Sequence, residues 1–425
     1  MADTIFALSS GAPPAAIAVV RLSGPAAAAA LQALSGHLPP PRRAVAVTLR
    51  GHTGGVLDRA LVLWLPGPGT ATGEDTAELH LHGGRAVIAA VQAELARLPG
   101  LRAAEPGEFT RRAFANGRID LAEAEGLADL LSAETELQRQ SALAMASGAF
   151  SAQVGQWREQ LLGLSASVEA VLDFADEDDV STLPANFLVQ IAALRLEVAH
   201  WLARPRAEAL REGFRVVVAG PPNAGKSTLF NVLVQSEAAI ATPIAGTTRD
   251  VLTRPVGYAG IPFLFADTAG LHDATDDVVE AIGIERALEA LDRADLVLWL
   301  GPEGQGPAGA WEVAAQIDRA EAPGKQYPRH RISAATGEGI EALIDDLVET
   351  ARAALPKPGE AALNQRQHDL LYEAARALQA AEDEVDPLLV AEALRLARVA
   401  FDSLLGRTTT EDMLDALFGR FCIGK

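Results

Sequence analysis

The sequence predicts a mixed chain, α/β plus all-α, in which an α/β module interrupts a helical one. Three observations carry that expectation. First, an apolar run, Phe214-Arg215-Val216-Val217-Val218-Ala219, leads into Gly220-Pro221-Pro222-Asn223-Ala224-Gly225-Lys226-Ser227 and then a helical stretch, Thr228–Leu233. Second, alanine-rich helical periodicity runs from Ile119 to Glu212 and returns over Ala361–Phe421, after Pro356 and Pro358. Third, residues 1–118 alternate short apolar strands with helices. At 425 residues the length suggests about three domains. An apolar content of 49% suffices for their cores.

The elements follow in order. Ala16–Leu22 and Leu61–Leu65 read as buried strands. Glu78-Leu79-His80-Leu81-His82 alternates polar and apolar residues, as a half-buried strand does. Gly83-Gly84 ends it, and Ala86–Leu98 has helical spacing. The acidic run Asp173–Asp179 breaks the first helical region. The expected domains are 1–118, an α+β module; 119–212 with 357–425, a discontinuous helical domain; and 213–356, the inserted α/β module.

Composition narrows the function. Net charge is −20, but residues 1–118 carry 11 Lys+Arg against 8 Asp+Glu, or +3, and the remainder is −23. So acidic a chain repels nucleic acid at long range, and any RNA contact needs a local patch or a partner. One cysteine, Cys422, excludes an internal disulfide and a thiolate-based structural zinc site. No apolar run is long enough to span a bilayer and no charged-then-apolar leader stands first, so a cytoplasmic protein is expected. Only four residues are lysine (226, 325, 357 and 425), against 32 arginines, and one of the four stands in the glycine loop. The two cations are not equivalent ligands.

A strand, a glycine loop and a helix in that order make a phosphate cradle. The glycines let backbone N–H groups converge on phosphate oxygens, and the helix start adds its positive dipole end. Lys226 would reach the β- and γ-phosphates, and Ser227 would offer a hydroxyl to Mg²⁺. Further signals follow in order. Gly246-Thr247-Thr248-Arg249-Asp250 is a polar loop whose threonine hydroxyl can complete the Mg²⁺ shell. Asp267-Thr268-Ala269-Gly270 ends the strand Ile261–Ala266; its aspartate would reach Mg²⁺ through water and Gly270 would place an N–H on the γ-phosphate. Ser333-Ala334-Ala335 follows a strand-like His330-Arg331-Ile332 and offers a backbone amide to a guanine carbonyl. The ordered set points to a Ras-like P-loop GTPase.

Two features depart from the usual pattern. The base-reading loop, ordinarily Asn-Lys-x-Asp, is Ala315-Gln316-Ile317-Asp318 and keeps only the aspartate. Gly301–Ala310 leaves no room for the usual crossover helix, so the module is expected to be trimmed and less selective for guanine. Leu271 stands where Ras-like enzymes hold a water-orienting glutamine. Hydrolysis then needs another carboxylate and another positive charge. The acidic helix start Asp276–Glu280 is one source of the carboxylate; a solvated helix face explains the same residues equally well. Asn223 can help to hold a monovalent cation.

These segments, with Thr72-Gly73-Glu74-Asp75, Pro106-Gly107-Glu108-Phe109 and the terminal Phe421-Cys422-Ile423-Gly424-Lys425, strongly resemble the tRNA-modification GTPase family MnmE (TrmE) over nearly the whole chain. The resemblance implies a homodimer formed through a tetrahydrofolate-binding N-terminal domain, and a G domain that pairs transiently across the nucleotide. Potassium would replace an arginine finger, with Asn223, Thr242, Ile244 and Thr247 at the ligand positions and Mg²⁺ on Ser227 and Thr248. Glu280 resembles the carboxylate that orients the attacking water, with one extra residue between it and the Asp-Thr-Ala-Gly motif. The GTP contacts implied are Asn223, Ala224, Gly225, Lys226, Ser227, Thr228, Thr242, Thr247, Thr248, Asp267, Thr268, Ala269, Gly270, Asp318, Ser333, Ala334 and Ala335, with Glu280 and Lys226 catalytic.

Arg21, Glu78, Arg118 and Lys425 match the folate positions, the ligand being a formyl- or methylene-tetrahydrofolate. Without the resemblance, Arg21 and Glu78 read as an ordinary surface pair. The family works with an FAD-dependent partner that binds most of the tRNA, in a heterotetramer that modifies the wobble uridine. A regulatory ribosome-assembly GTPase without folate chemistry is the alternative. A folate-dependent aminomethyltransferase with a degenerate GTPase module is a second. Cys422 suits either nucleophilic chemistry or packing as a small residue; His80 and His82 read as structural.

Overall fold

The computed structural model describes residues 3–173, 183–235, 240–241, 253–267, 291–319, 324–408, 411–419 and 421–424. They form two compact units, Met1–Ala128 with Asp402–Lys425, and Asp129–Phe401.

The first unit is built on strands β1 (Thr4–Leu8), β2 (Ile17–Ser23), β3 (Val45–Arg50), β4 (Val56–Leu65), β5 (Thr76–His82) and β6 (Leu101–Ala103), and on helices α1 (Ala27–Ser35), α2 (Arg85–Arg97), α3 (Glu108–Ala115) and α4 (Leu121–Ser132). The sheet order is β3-β4-β5-β2-β1-β6. β1 and β6 pair in parallel, and the other neighbours are antiparallel. Alternation makes one face of the sheet apolar. Helix α1 covers it with Leu31 and Leu34, and α2 with Ile88, Val91 and Leu95, all buried. Gly83 turns the chain from β5 into α2, where a Cβ would lie 2.1 Å from the Ala15 carbonyl oxygen.

The second unit takes in the end of α4 and then α5 (Glu136–Ala146), whose start is closed by a reciprocal Thr135–Gln138 capping box. Helices α6 (Ala149–Asp173), α7 (Phe187–Leu202) and α8 (Ala207–Glu212) follow. The chain then enters an α/β layer: β7 (Phe214–Ala219), α9 (Lys226–Gln235), β8 (Ile240–Ala241), β9 (Thr253–Tyr258), β10 (Ile261–Asp267), β11 (Leu296–Trp299), β12 (Trp311–Ala314), β13 (His330–Arg331) and α10 (Ile340–Ala354). Helices α11 (Gln365–Asp383) and α12 (Pro387–Leu404) follow, and α13 (Glu411–Phe418) belongs to the first unit.

The second sheet runs β13-β12-β11-β7-β10-β9-β8. β7 is central and parallel to β10 and β11; β9 is antiparallel to β10, and β8 to β9. Val216, Val218, Phe263 and Phe265 form its apolar heart, and Leu343 and Leu347 of α10 pack against them. The parallel strands β11 and β12 are joined by residues 300–310 through turns alone, with no helix. Trp299 fills the gap: its indole N–H donates to the Pro302 carbonyl at 2.9 Å. Gly306 approaches its ring so closely that a Cβ would lie 2.7 Å away.

The helices of this unit centre on Phe150, Trp157, Trp201 and Phe401, whose rings lie 5.1–6.5 Å apart. Each such side chain contributes about 1.5–3 kcal/mol on burial. Helix α11 lies along α7, with Arg195 Nε donating to Glu382 at 2.8 Å. In the first unit, α13 packs on α3 through Phe418 and Phe114, 6.1 Å between centroids. Ile423 makes a backbone bridge to Pro106.

Candidate nucleotide site

β7 delivers the chain to Gly220, and α9 begins at Lys226. Between them the backbone turns through left-handed conformations at Asn223 (φ 63°) and Gly225 (φ 91°). Gly220 favours glycine on two counts: its φ is 150°, and a Cβ would lie 3.0 Å from the Gly301 nitrogen. Ser227 and Thr228 stand exposed at the helix start, and Ala224 is half-buried. The amides of this first turn have no helical partner upstream and suit an anion.

Lys226 is 6% exposed, and its Nζ donates to the Pro221 carbonyl at 2.9 Å. Burial pushes its pKa below the usual lysine value, and the charge of Asp267 opposes that shift. Asp267, 8% exposed, ends β10 directly beside β7, in register with Val218. The parallel pairing therefore places an acidic group next to the loop lysine. A serine hydroxyl at the helix start and a carboxylate across the sheet suit a hard divalent cation such as Mg²⁺.

The other end of the site follows β12. Asp318 is exposed, and its Oδ1 accepts from the Ser333 hydroxyl at 2.6 Å. That hydrogen bond holds the Asp318 carboxyl below the ordinary aspartate value. Ser333 is wholly buried, and its oxygen also accepts from the Thr336 amide at 3.1 Å. Of the three residues expected to offer a backbone amide to a base carbonyl, Ser333 donates its own instead to Glu338 O at 2.9 Å. Gln316, which the sequence marked only as a departure from the base-reading motif, touches the phosphate loop: Nε2 donates to the Asn223 carbonyl at 3.1 Å. Its position two residues before Asp318 was the available signal.

In the first unit, Arg21 and Glu78 stand directly opposite on β2 and β5, and Arg21 Nε donates to Glu78 Oε1 at 3.1 Å. The second oxygen of Glu78 meets His80 Nε2 at 3.3 Å, so His80 supports the carboxylate. Asp58 binds both the amide and the ring Nδ1 of His82, a structural use of that histidine. Arg118 passes over Gly73, where a Cβ would lie 3.3 Å from the arginine Cγ. Cys422 is free and exposed. Among the described residues no cluster of three or more His, Cys, Asp or Glu is poised for a metal, and no helix is long and apolar enough to cross a membrane. Thr242, Ile244, Thr247, Thr248, Thr268, Ala269, Gly270, Leu271, Glu280 and Lys425 lie outside the described residues.

A glycine loop beside a central parallel strand, a buried loop lysine facing an aspartate, and a serine-held aspartate beyond β12 together define a P-loop nucleotide-binding protein of the GTPase class. The sequence model for the GTP-binding protein TrmE N-terminus matches residues 4–118, and that for the MnmE helical domain matches residues 121–422. The tRNA modification GTPase MnmE of Erythrobacter litoralis is 64% identical, covering 100% of both chains. That of Novosphingobium aromaticivorans is 63% identical with the same coverage. The G domain of the T. maritima FeoB iron transporter is 24% identical over 32% of this chain and 98% of its own, with a TM-score of 0.23. The chain belongs to the MnmE family of tRNA modification GTPases.

Proposed function

We propose that this protein is a potassium-stimulated, Mg²⁺-dependent GTPase of the cytoplasm whose cycle drives modification of the wobble uridine of certain tRNAs. The observation that carries this reading is the buried Lys226 facing Asp267 at the end of a glycine loop, in a chain of this family. Residues 213–356 act as the G domain, inserted in a helical domain of residues 119–212 and 357–425; residues 1–118 bind tetrahydrofolate and form a homodimer. An FAD-dependent partner completes a heterotetramer and carries most of the tRNA. Its chemistry and the folate one-carbon unit together build a carboxymethylaminomethyl-type group on C5 of the uridine.

Lys226 orients the β- and γ-phosphates, and the amides of the helix start neutralise charge that develops on them. Ser227 and Thr248 hold Mg²⁺; Asn223, Thr242, Ile244 and Thr247 hold potassium, which supplies positive charge near the γ-phosphate when bound. The left-handed turn at Asn223 and the exposed Ser227 hydroxyl suit such cations. Glu280 orients the attacking water, and Asp318 reads the guanine edge. In the N-terminal domain Arg21, Glu78, Arg118 and Lys425 hold the folate, the paired Arg21 and Glu78 presenting both a donor and an acceptor.

The test is GTP turnover in potassium against sodium, with titration of 5-formyltetrahydrofolate. Potassium should raise the rate severalfold and the folate should bind. Equal, negligible rates in both salts would overturn the GTPase reading. Turnover without folate binding would favour a regulatory GTPase free of one-carbon chemistry. Replacing Glu280 by alanine should leave GTP binding intact and slow hydrolysis.

A further inference from the structure

Ser9 and Ser10 follow β1, and their hydroxyls are placed differently. Ser10 Oγ accepts from the Val19 amide at 3.1 Å. Ser9 Oγ is buried and has no hydrogen-bond partner within the chain. A buried hydroxyl left unpaired is unfavourable, and such groups are rare in folded proteins. Strand register shows where this one stands. Ala7 lies opposite Arg21 and Leu8 opposite Val20, and the Ser9 amide extends the ladder by donating to the Val19 carbonyl at 2.7 Å. Side chains alternate along a strand, so Ser9 shares the sheet face of Ala7, Val19 and Arg21. Across β2 the same face carries Glu78 opposite Arg21 and His80 opposite Val19. Ser9 thus stands on the diagonal from Arg21, about 7–8 Å away in a regular sheet. The terminal segment comes against it: a Cβ on Gly424 would lie 3.1 Å from Ser9 Cα.

We infer that Ser9 is a further ligand-binding residue of the first unit, its hydroxyl donating to an oxygen of the tetrahydrofolate that Arg21 also holds. The inference rests on the folate reading above. An arginine recruits a carbonyl or carboxylate oxygen, and such an oxygen has a lone pair for a second donor. Ser9 as a whole is only half-buried, and rotation about χ1 between staggered wells turns its oxygen outward with no movement of the backbone. Three adjacent strands then contribute one polar group each: Ser9 just beyond β1, Arg21 on β2 and Glu78 on β5.

The test is calorimetric titration of the full chain with 5-formyltetrahydrofolate, beside thermal melting of the free and the folate-saturated protein. Ser9→Ala should raise Kd about fivefold. In the free protein it should leave Tm unchanged or raised, because the hydroxyl it removes has no partner to lose. Ser10→Ala strips an acceptor from the Val19 amide and should lower Tm. The rise in Tm on adding folate should be smaller for Ser9→Ala than for wild type, and GTP turnover should be unchanged. Wild-type protein that binds no 5-formyltetrahydrofolate overturns the folate reading and this inference with it. Wild type that binds, with Ser9→Ala binding equally well, overturns the Ser9 contact alone. A Ser9→Ala variant whose free form melts as low as Ser10→Ala makes the hydroxyl structural and also overturns it.

Discussion

Lys226 sits where burial disfavours its charge, near the Asp267 carboxylate and bonded to a carbonyl of its own loop. A triphosphate would offer that ammonium several anionic oxygens in exchange. Charge-assisted hydrogen bonds contribute about 1.5–3 kcal/mol each. Lys226→Ala should therefore weaken GTP binding by about 100-fold or more, read by nucleotide titration. Asp318 makes a sharper test of base choice. Guanine presents two donors, N1–H and the 2-amino group, which a carboxylate accepts. Xanthine replaces the second by a carbonyl, which an amide matches. Asp318→Asn should cost about 100-fold in GTP affinity and restore binding with xanthosine triphosphate. The Ser333 hydroxyl aims that carboxylate, and Ser333→Ala should lower the preference for GTP over ATP in a competition assay.

Two elements hold together by unlike means. The connection from β11 to β12 has no helix, and Lys325 does the fastening. Its buried Nζ donates to the Trp299 carbonyl at 2.6 Å and to Glu312 at 2.5 Å, and Glu312 also accepts from the Gly304 amide. Lys325→Met would leave Glu312 short of its cation and should destabilise the unit by about 1.5–3 kcal/mol in denaturant unfolding.

In the first unit, Arg102 and Arg112 gather Asp3, Glu74 and Glu108 around the start of α3. The hydrogen bond from Arg102, with help from Arg112, holds Asp3 below its usual 3.8. Burial pushes Glu108 up, but hydrogen bonds from Arg102, the Glu105 amide and Arg112 outweigh it and leave it below 4.5. Depressed carboxylates stabilise the fold above their ordinary values, and that stability is lost as pH falls through the folded values. Melting temperature should drop as pH falls below about 4.5, and Glu108→Gln should flatten that dependence by removing one titrating group.

At the scale of the whole molecule, the nucleotide site and the proposed folate site fall in separate units. The terminal segment reaches the first sheet at Gly424 (φ 93°), where a Cβ would lie 2.2 Å from the Leu8 carbonyl oxygen. Gly424→Ala should displace the last residue and weaken 5-formyltetrahydrofolate binding about tenfold while GTP turnover by the same protein continues. Gel filtration with GDP and aluminium fluoride gives the matching test for the other unit. Potassium should shift elution toward paired G domains, and sodium should not.

The phosphate loop was legible because everything it needs lies within one strand, one turn and one helix. Local sequence sets such a unit: β-branched residues for the strand, glycine where φ is positive, a lysine at the first helical position. The absent helix between β11 and β12 was legible for the same reason, since the count of residues between two apolar runs limits what fits. What joins the site was not legible. Asp267 meets Lys226 only because β10 pairs with β7. Asp318 meets Ser333 only because β12 pairs with β13. Gln316 meets Asn223 across 93 positions of sequence. Arg21 and Glu78 face each other because β2 and β5 pair in one register, and a slip by one residue would turn them to opposite faces. Local chemistry wrote the parts of this protein, and long-range strand pairing decided which parts touch, because register fixes the neighbours of a side chain and no short stretch of sequence encodes it.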